Sequence, residues 1–199
     1  MDIILQKKLL REKFKAKRAS LTNQEVAEKS KKICENFINN LFPQIYQQNS
    51  QKNFSLYLSS NNEVSTLEIQ NFFIKNNINF SYPKIINLNC DLDFIVFNDD
   101  VKFINSSFFK KIIEPEMGEK ILPDILIIPL LAFDPCLQRL GMGGGFFDRT
   151  ISALKNKKSK IITIGLAFDL QRFDGNLPTE NTDLALDFIV CEDAVFFKK

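Results

Sequence analysis

The chain has 199 residues, 45% of them hydrophobic and 25% charged, with a formal net charge of +2. This fits one globular domain with a sizeable core, and it argues against a nucleic-acid binder, which needs a strongly basic face. There is no histidine, which removes His-based triads, the usual base near neutral pH and most zinc sites.

Residues 3–18 predict a basic amphipathic helix, with Ile3, Leu9, Leu10 and Phe14 near helical spacing and Lys and Arg between them. Thr22 followed by Glu25 is a capping-box pattern. A second helix should run from there to about Asn40, burying Val26, Ile33, Cys34 and Phe37, with Pro43 ending the region. FSLYL (54–58) reads as a strand. Ser65 or Thr66, with Glu68 nearby, can cap a helix running through Lys75. INFSYP (78–83) reads as a second strand stopped by Pro83, and DFIVF (94–98) as a third. DILIIP (124–129) is nearly all apolar, as a central strand covered on both faces should be. A helix is expected from about Phe146 to Leu154, then strands at 160–168 and 186–192. The polar stretch at 47–53 is a loop too short to divide domains.

Strands alternating with helices imply an α/β fold: a three-layer, mostly parallel, Rossmann-like sheet with helices on both faces, over a single domain 1–199. No apolar run approaches the roughly 20 residues that span a bilayer. Cys34, Cys90, Cys136 and Cys191 are scattered, with no C-x-x-C pair and no secretory leader. They read as thiols in a reducing cytosol, so a cytoplasmic protein is expected.

Four of the seven glycines fall within RLGMGGGFFDR (139–149), after a buried strand and before a helix. Glycine-rich turns and helix N-termini present backbone N–H groups to anions. Arg139 and Arg149 add charge there, and Asp148 offers a carboxylate for a magnesium ion bridging phosphates. The spacing matches neither G-x-x-x-x-G-K-S/T nor G-x-G-x-x-G. A phosphate cradle and a plain turn both remain open on the residues alone.

PDILIIPLLAFDPCLQRLGMGGGFFDR resembles the nucleotide-binding segment of the 5-formyltetrahydrofolate cyclo-ligase family. KKLLR (7–11), LYLSSNNEVST (56–66), YPKI (82–85), IIEP (112–115), IGLAFDLQ (164–171) and LPTENTDLALD (177–187) resemble further pieces of it, in order along nearly the full length. The resemblance implies cyclisation of 5-formyltetrahydrofolate to 5,10-methenyltetrahydrofolate, with ATP as cosubstrate and Mg²⁺ as cofactor. It further implies a monomer with no nucleic-acid or membrane partner.

Carried onto this sequence, the resemblance sends Lys7 and Arg11 from one helix face to the ATP phosphates. Arg139, Leu140, Gly141, Met142, Gly143, Gly144, Gly145, Phe146 and Phe147 would hold ATP, with Lys7 and Arg139 acting in catalysis. Asp148 and Glu180 would bind the metal. Leu58 and Glu63 would line the folate site, together with Met142, Gly143, Gly144, Gly145 and Phe146. A carboxylate at position 63 suits the N–H edge of a pterin, and Lys84 would meet the folate's glutamate tail or a phosphate.

Three positions depart from the family pattern. Leu137 replaces a glycine, and because leucine does not take a left-handed turn cheaply, the turn is expected to be shaped differently. Phe146-Phe147 replaces Tyr-Tyr, and Asn181-Thr182 precedes Asp183 where a His-Asp pair is common. The rival readings are a diverged relative that binds nucleotide or pterin without turnover, and an RNA-binding module using the basic first helix.

Overall fold

The computed structural model describes residues 2–46, 52–158 and 160–198; most of the loop expected at 47–53 lies outside them. Helix α1 (Ile3–Ala19) starts at Asp2, whose side chain accepts the Ile4 N–H at 3.3 Å. The expected apolar stripe is only partly right: Ile3 and Leu9 are exposed, and α1 instead buries Lys7, Phe14 and Arg18. Phe14 anchors the helix in an apolar cluster with Leu131, Ala132, Leu140 and Leu177, and the half-buried Leu10 packs against it. The two buried cations on the same face find oxygen partners, which is the condition for burying a charge.

Helix α2 (Asn23–Asn36) opens on the expected capping box. Thr22 Oγ1 accepts the Glu25 N–H at 3.2 Å and Glu25 accepts the Thr22 N–H at 2.8 Å. Pro43 does not end the region. The helix widens to a π turn over Phe37–Leu41 and continues as α3 (Phe42–Ile45), with Pro43 in its first turn. Proline has no N–H to give a continuing helix, and the wider π turn directly before it, where the Phe42 N–H reaches back to the Phe37 carbonyl, is where the chain absorbs that loss.

The main sheet has seven strands: β1 (Phe54–Ser55), β2 (Phe80–Lys84), β3 (Asp93–Val96), β6 (Ile125–Pro129), β9 (Ile162–Leu166), β10 (Phe188–Val190) and β11 (Val195–Phe197). Their order is β11-β10-β9-β6-β1-β2-β3, parallel throughout except at the two edges, where β11 and β3 run antiparallel. Ile125 and Ile127 of β6 enter one core with α2, the π turn and α4 (Leu67–Lys75), while Leu126 and Ile128 enter the other with α5 (Phe146–Lys157). All four are fully buried, so an uninterrupted apolar run marks a central strand with both faces covered.

Several boundaries differ from expectation. The β1 ladder is two residues long, because the chain turns away after Leu56 and the Tyr57 carbonyl is taken by the Thr66 hydroxyl at 2.8 Å. That hydroxyl is therefore not used to cap α4. Pro83 lies within β2, two residues beyond Ser81, where the pairing with β1 ends, so on that side no ladder partner awaits the missing donor. Two short hairpins were not anticipated, β4–β5 (Phe103–Asn105 with Ile113–Pro115) and β7–β8 (Ala132–Phe133 with Arg139–Leu140). Their pairings are brief, and sequence periodicity does not register them.

Leu137 overturns the expectation made for it. It does take the left-handed conformation, with φ +60°. Its N–H donates to the Asp134 carbonyl at 2.9 Å and its own carbonyl accepts the Leu186 N–H at 2.9 Å. The side chain is buried in the core beneath α5. Left-handed backbone costs a non-glycine residue about 1–2 kcal/mol, whereas truncating a buried leucine costs about 2–5 kcal/mol. Leu137→Gly is therefore expected to lower stability by roughly 1–3 kcal/mol in urea unfolding. A more stable variant would show that backbone strain outweighs burial here.

Candidate functional site

The carboxyl ends of β1 and β6 open into a cavity of about 850 Å³, the place where ligands bind in parallel α/β sheets. The glycine loop forms part of its wall. Gly143 (φ +103°) and Gly145 (φ +66°) occupy left-handed backbone that side chains rarely adopt. Gly145 is also the N-cap of α5, and no side chain caps that terminus. The first N–H groups of α5 are therefore left to solvent or ligand. Gly144 has another constraint: a Cβ there would stand 2.8 Å from the Phe146 ring.

Two cations brace the loop from the protein side. Arg11 Nε donates to the Gly141 carbonyl at 3.0 Å. Arg139 is nearly buried and its Nη2 meets Asp148 Oδ1 at 2.6 Å, while its Nε has no hydrogen-bond partner among the described residues. Burial lowers the Arg139 pKa from its ordinary value, and Asp148 and Asp183 act against that. A buried donor without a partner is costly, and an anionic ligand would relieve it.

Lys7 is buried between two carboxylates, Glu180 Oε2 and Asp183 Oδ2, each at 2.5 Å. Burial is the largest single influence on its charge and opposes it. The hydrogen bonds and charges of Asp183 and Glu180 together outweigh that and raise its pKa. The same Asp183 oxygen accepts the Glu180 N–H at 2.7 Å, so the turn is fixed around the ammonium.

The site residues named from the sequence line this cavity, except Glu180 and Lys84. Glu180 sits outside it, half-exposed and committed to Lys7, whereas Asp183 lines it. Lys84 is also outside, donating to the Pro115 carbonyl at 2.8 Å and standing 3.7 Å from Glu114. Arg149 lines the cavity, but its Nε donates to the Cys90 carbonyl and its Nη2 to those of Leu88 and Gly144, and its guanidinium lies 5.0 Å from the Phe146 ring centroid. It staples the glycine loop to residues 88–90. Among the described residues no three Asp, Glu or Cys side chains cluster as a metal cage.

The family model for the 5-formyltetrahydrofolate cyclo-ligase family matches residues 3–192. The chain belongs to that family. A 5-formyltetrahydrofolate cyclo-ligase of Haemophilus influenzae is 33% identical over 89% of this chain and 92% of its own length. One of Mycoplasma genitalium is 30% identical over 94% and 99%. Among solved structures, a 5,10-methenyltetrahydrofolate synthetase of Aquifex aeolicus superposes with a TM-score of 0.77 at 26% identity, covering 96% of this chain and 92% of that one. Its counterpart from Mycoplasma pneumoniae gives 0.71 at 25%, covering 97% and 100%. The chain is accordingly an enzyme of the cyclo-ligase family with a mostly parallel α/β sheet. Among the described residues no helix is long and apolar enough to cross a membrane.

Two charged residues of the cavity wall, Asp183 and Glu114, were not assigned a site role from sequence. Asp183 had a usable signal, since it lies three residues after Glu180 and a turn can bring both carboxylates to one cation. Glu114, within IIEP, is buried on the cavity wall and accepts the Ile85 N–H at 3.2 Å; no spacing pattern marks it.

Because its pKa is raised on folding, Lys7 contributes stability that is fully present below the ordinary lysine value of 10.5 and is lost as pH rises through the higher folded value. The gap in urea midpoint between the native chain and Lys7→Met is expected to stay level from about pH 8 and to narrow only at higher pH, above about 10.5. A gap that narrows near neutrality would exclude the ion triad as its source.

Proposed function

We propose that this enzyme closes 5-formyltetrahydrofolate to 5,10-methenyltetrahydrofolate with conversion of ATP to ADP and phosphate, as a cytoplasmic monomer. The observation that carries the reading is the junction of an uncapped α5 terminus with a buried arginine whose Nε has no partner, both on one large cavity. Such a place favours multiply charged anions over neutral ligands. The four free cysteines are compatible with a reducing compartment.

The formyl group on N5 is an amide, and its oxygen is a poor leaving group. That oxygen attacks the γ-phosphorus of ATP, an O–P bond forms and ADP departs. N10 then attacks the activated formyl carbon, the C–O bond breaks with its electron pair going to phosphate, and N10 loses its proton. Arg139 and the α5 N–H groups would hold the phosphate oxygens where charge spreads, and the glycine loop lets backbone approach them. Arg11, already on the Gly141 carbonyl, would fix the loop and face the nucleotide. Lys7 would add positive charge to the same wall while holding Asp183 in place. None of these roles requires a histidine, since positioning and electrostatics carry phosphoryl transfer.

Mg²⁺ fits the donors available. It takes one or two carboxylates and completes its shell with phosphate oxygens and water, so the lack of a protein cage is no obstacle. Asp148 would hold it, with Asp183 the second carboxylate on the cavity wall and Glu180 outside it. The ion would neutralise charge on the phosphates. Glu63 and Leu58 would receive the pterin, with Met142 and Phe146 bordering the formyl group. The rings at Phe146 and Phe147 supply no hydroxyl, so the formyl oxygen must be oriented by other donors.

Purified protein mixed with 5-formyltetrahydrofolate, Mg²⁺ and ATP is expected to give an ATP-dependent rise in the near-ultraviolet absorbance of methenyltetrahydrofolate. Arg139→Ala and Asp148→Asn should each lower kcat by about 10²–10³-fold, the scale for losing one transition-state donor, with unchanged far-ultraviolet circular dichroism. Nucleotide binding without turnover in the native chain would favour a diverged relative and point to Phe146→Tyr and Phe147→Tyr as reversions. Near-normal turnover in both variants would defeat the site assignment.

A further inference from the structure

One buried cation of α1 has no part in the site so far. Arg18 lies on the stripe that carries Lys7 and Arg11; it is 2% exposed and does not line the cavity. Its Nη1 donates to the Leu130 carbonyl at 3.3 Å and stands 3.8 Å from Oε1 of Glu63. Glu63 does line the cavity. Its second oxygen, Oε2, accepts the Ser60 N–H at 2.9 Å and the Ser60 hydroxyl at 3.3 Å. The turn that carries Glu63 is docked on the end of α1. Asn62 Nδ2 donates to the carbonyls of Arg18 and Leu21 at 3.3 and 3.0 Å. Asn61 and Asn62 supply the two left-handed residues, φ +49° and +56°, that the turn requires.

A carboxylate this buried is expensive to ionise. Burial raises the Glu63 pKa, and the leading opposing influence is Arg18, ahead of the hydrogen bonds from Ser60. The other titratable group interacting with it, Tyr57, carries no charge near neutrality, because burial raises its pKa well above the ordinary value. Its hydroxyl is bound to the Val64 carbonyl at 2.8 Å. Ser60 thus occupies Oε2, and Oε1 is the oxygen left with an open acceptor position.

We propose that Arg18 is a positioning residue of the folate subsite. It holds Glu63 as an ionised carboxylate, with Oε1 available to the N–H edge of a bound pterin, without itself touching the ligand. This rests on the reading of Glu63 as the pterin contact. Loss of Arg18 lets Glu63 keep a proton into the neutral range, and a protonated carboxyl accepts one fewer hydrogen bond from the pterin.

The test is calorimetric binding of 5-formyltetrahydrofolate without nucleotide, from about pH 6 to 9. Arg18→Met is expected to weaken binding about tenfold or more near neutrality, with affinity recovering as pH rises, and to leave ATP affinity unchanged. Arg18→Lys should restore most of the binding and remove the pH dependence. Arg18→Gln keeps a donor for the Leu130 carbonyl but no charge. It is the second neutral variant should Arg18→Met not fold, with the same pH-dependent loss expected. In a Glu63→Gln background, Arg18→Met should cost nothing further. An equal loss in both backgrounds, or a parallel loss of ATP affinity, would reduce Arg18 to a structural role and overturn the proposal. Folate binding undiminished by Glu63→Gln would remove the subsite and the proposal together. Turnover assayed in parallel tests the reaction separately, because these titrations decide the role of Arg18 whether or not the folate is turned over.

Discussion

The buried carboxylate of Asp134 accepts three backbone N–H groups, from Cys136 at 2.9 Å, Gln138 at 3.0 Å and Leu177 at 2.9 Å. Hydrogen bonds to an ionised acceptor are among the strongest available, and here they join segments about forty residues apart in the chain. The first two close the turn that sets Leu137 left-handed and delivers Arg139 to the cavity. The third fixes the start of the 177–184 segment, which brings Asp183 to Lys7. Leu186 then returns a hydrogen bond to the Leu137 carbonyl. Both halves of the charged wall are thus positioned by one side chain that lies outside the cavity lining.

Helix α1 completes the arrangement. Lys7, Arg11 and Arg18 share one face of it, and each is bound to a different segment: the 180–183 turn, the Gly141 carbonyl, and the Leu130–Glu63 region. The cavity wall carries charge of both signs, Lys7, Arg11, Arg139 and Arg149 with Glu63, Glu114, Asp148 and Asp183. Net charge, here only +2, does not reveal such a local arrangement. Exposed Ile4, Leu5 and Leu9 on the same helix are consistent with this, because the helix is held by its cations and Phe14 more than by an apolar stripe.

Much of this was legible in the sequence, and the reasons are specific. The unbroken run of β6 gave its central place, Thr22 and Glu25 marked the start of α2, and the clustered glycines marked the loop. Boundaries failed where a tertiary partner overrode the local pattern. The Thr66 hydroxyl took the Tyr57 carbonyl in place of a helix cap, a π turn absorbed Pro43, and the early end of the β1 pairing left room for Pro83. The site was legible as a set of residues but not as a set of pairings. Lys7 and Arg11 read as phosphate ligands, and spacing on a helix face cannot reveal that Lys7 is already held by two carboxylates. Glu180 and Asp183 differ by three positions, and only the turn between them decides which one enters the cavity. Arg18 was invisible as a functional residue, because a basic helix full of solvated lysines gives no sign of which cation is buried.

A site without histidine also behaves differently with pH. Arginine and lysine keep their charge across the physiological range. The cations of the wall proposed to hold phosphate therefore keep a fixed charge, which suits the proposed phosphoryl transfer, a reaction that needs no base of matched pKa. Glu63 differs, because burial raises its pKa and a single guanidinium leads the opposition to that rise. On the proposed reading, sensitivity to protonation falls on the pterin side of the cavity, apart from phosphate handling. Arg18, the cation proposed to provide this separation, sits on the same helix as Lys7 and Arg11, the two proposed to face the nucleotide. A small rotation of α1 would disturb both halves together, whereas a change at Arg18 alone would disturb only one.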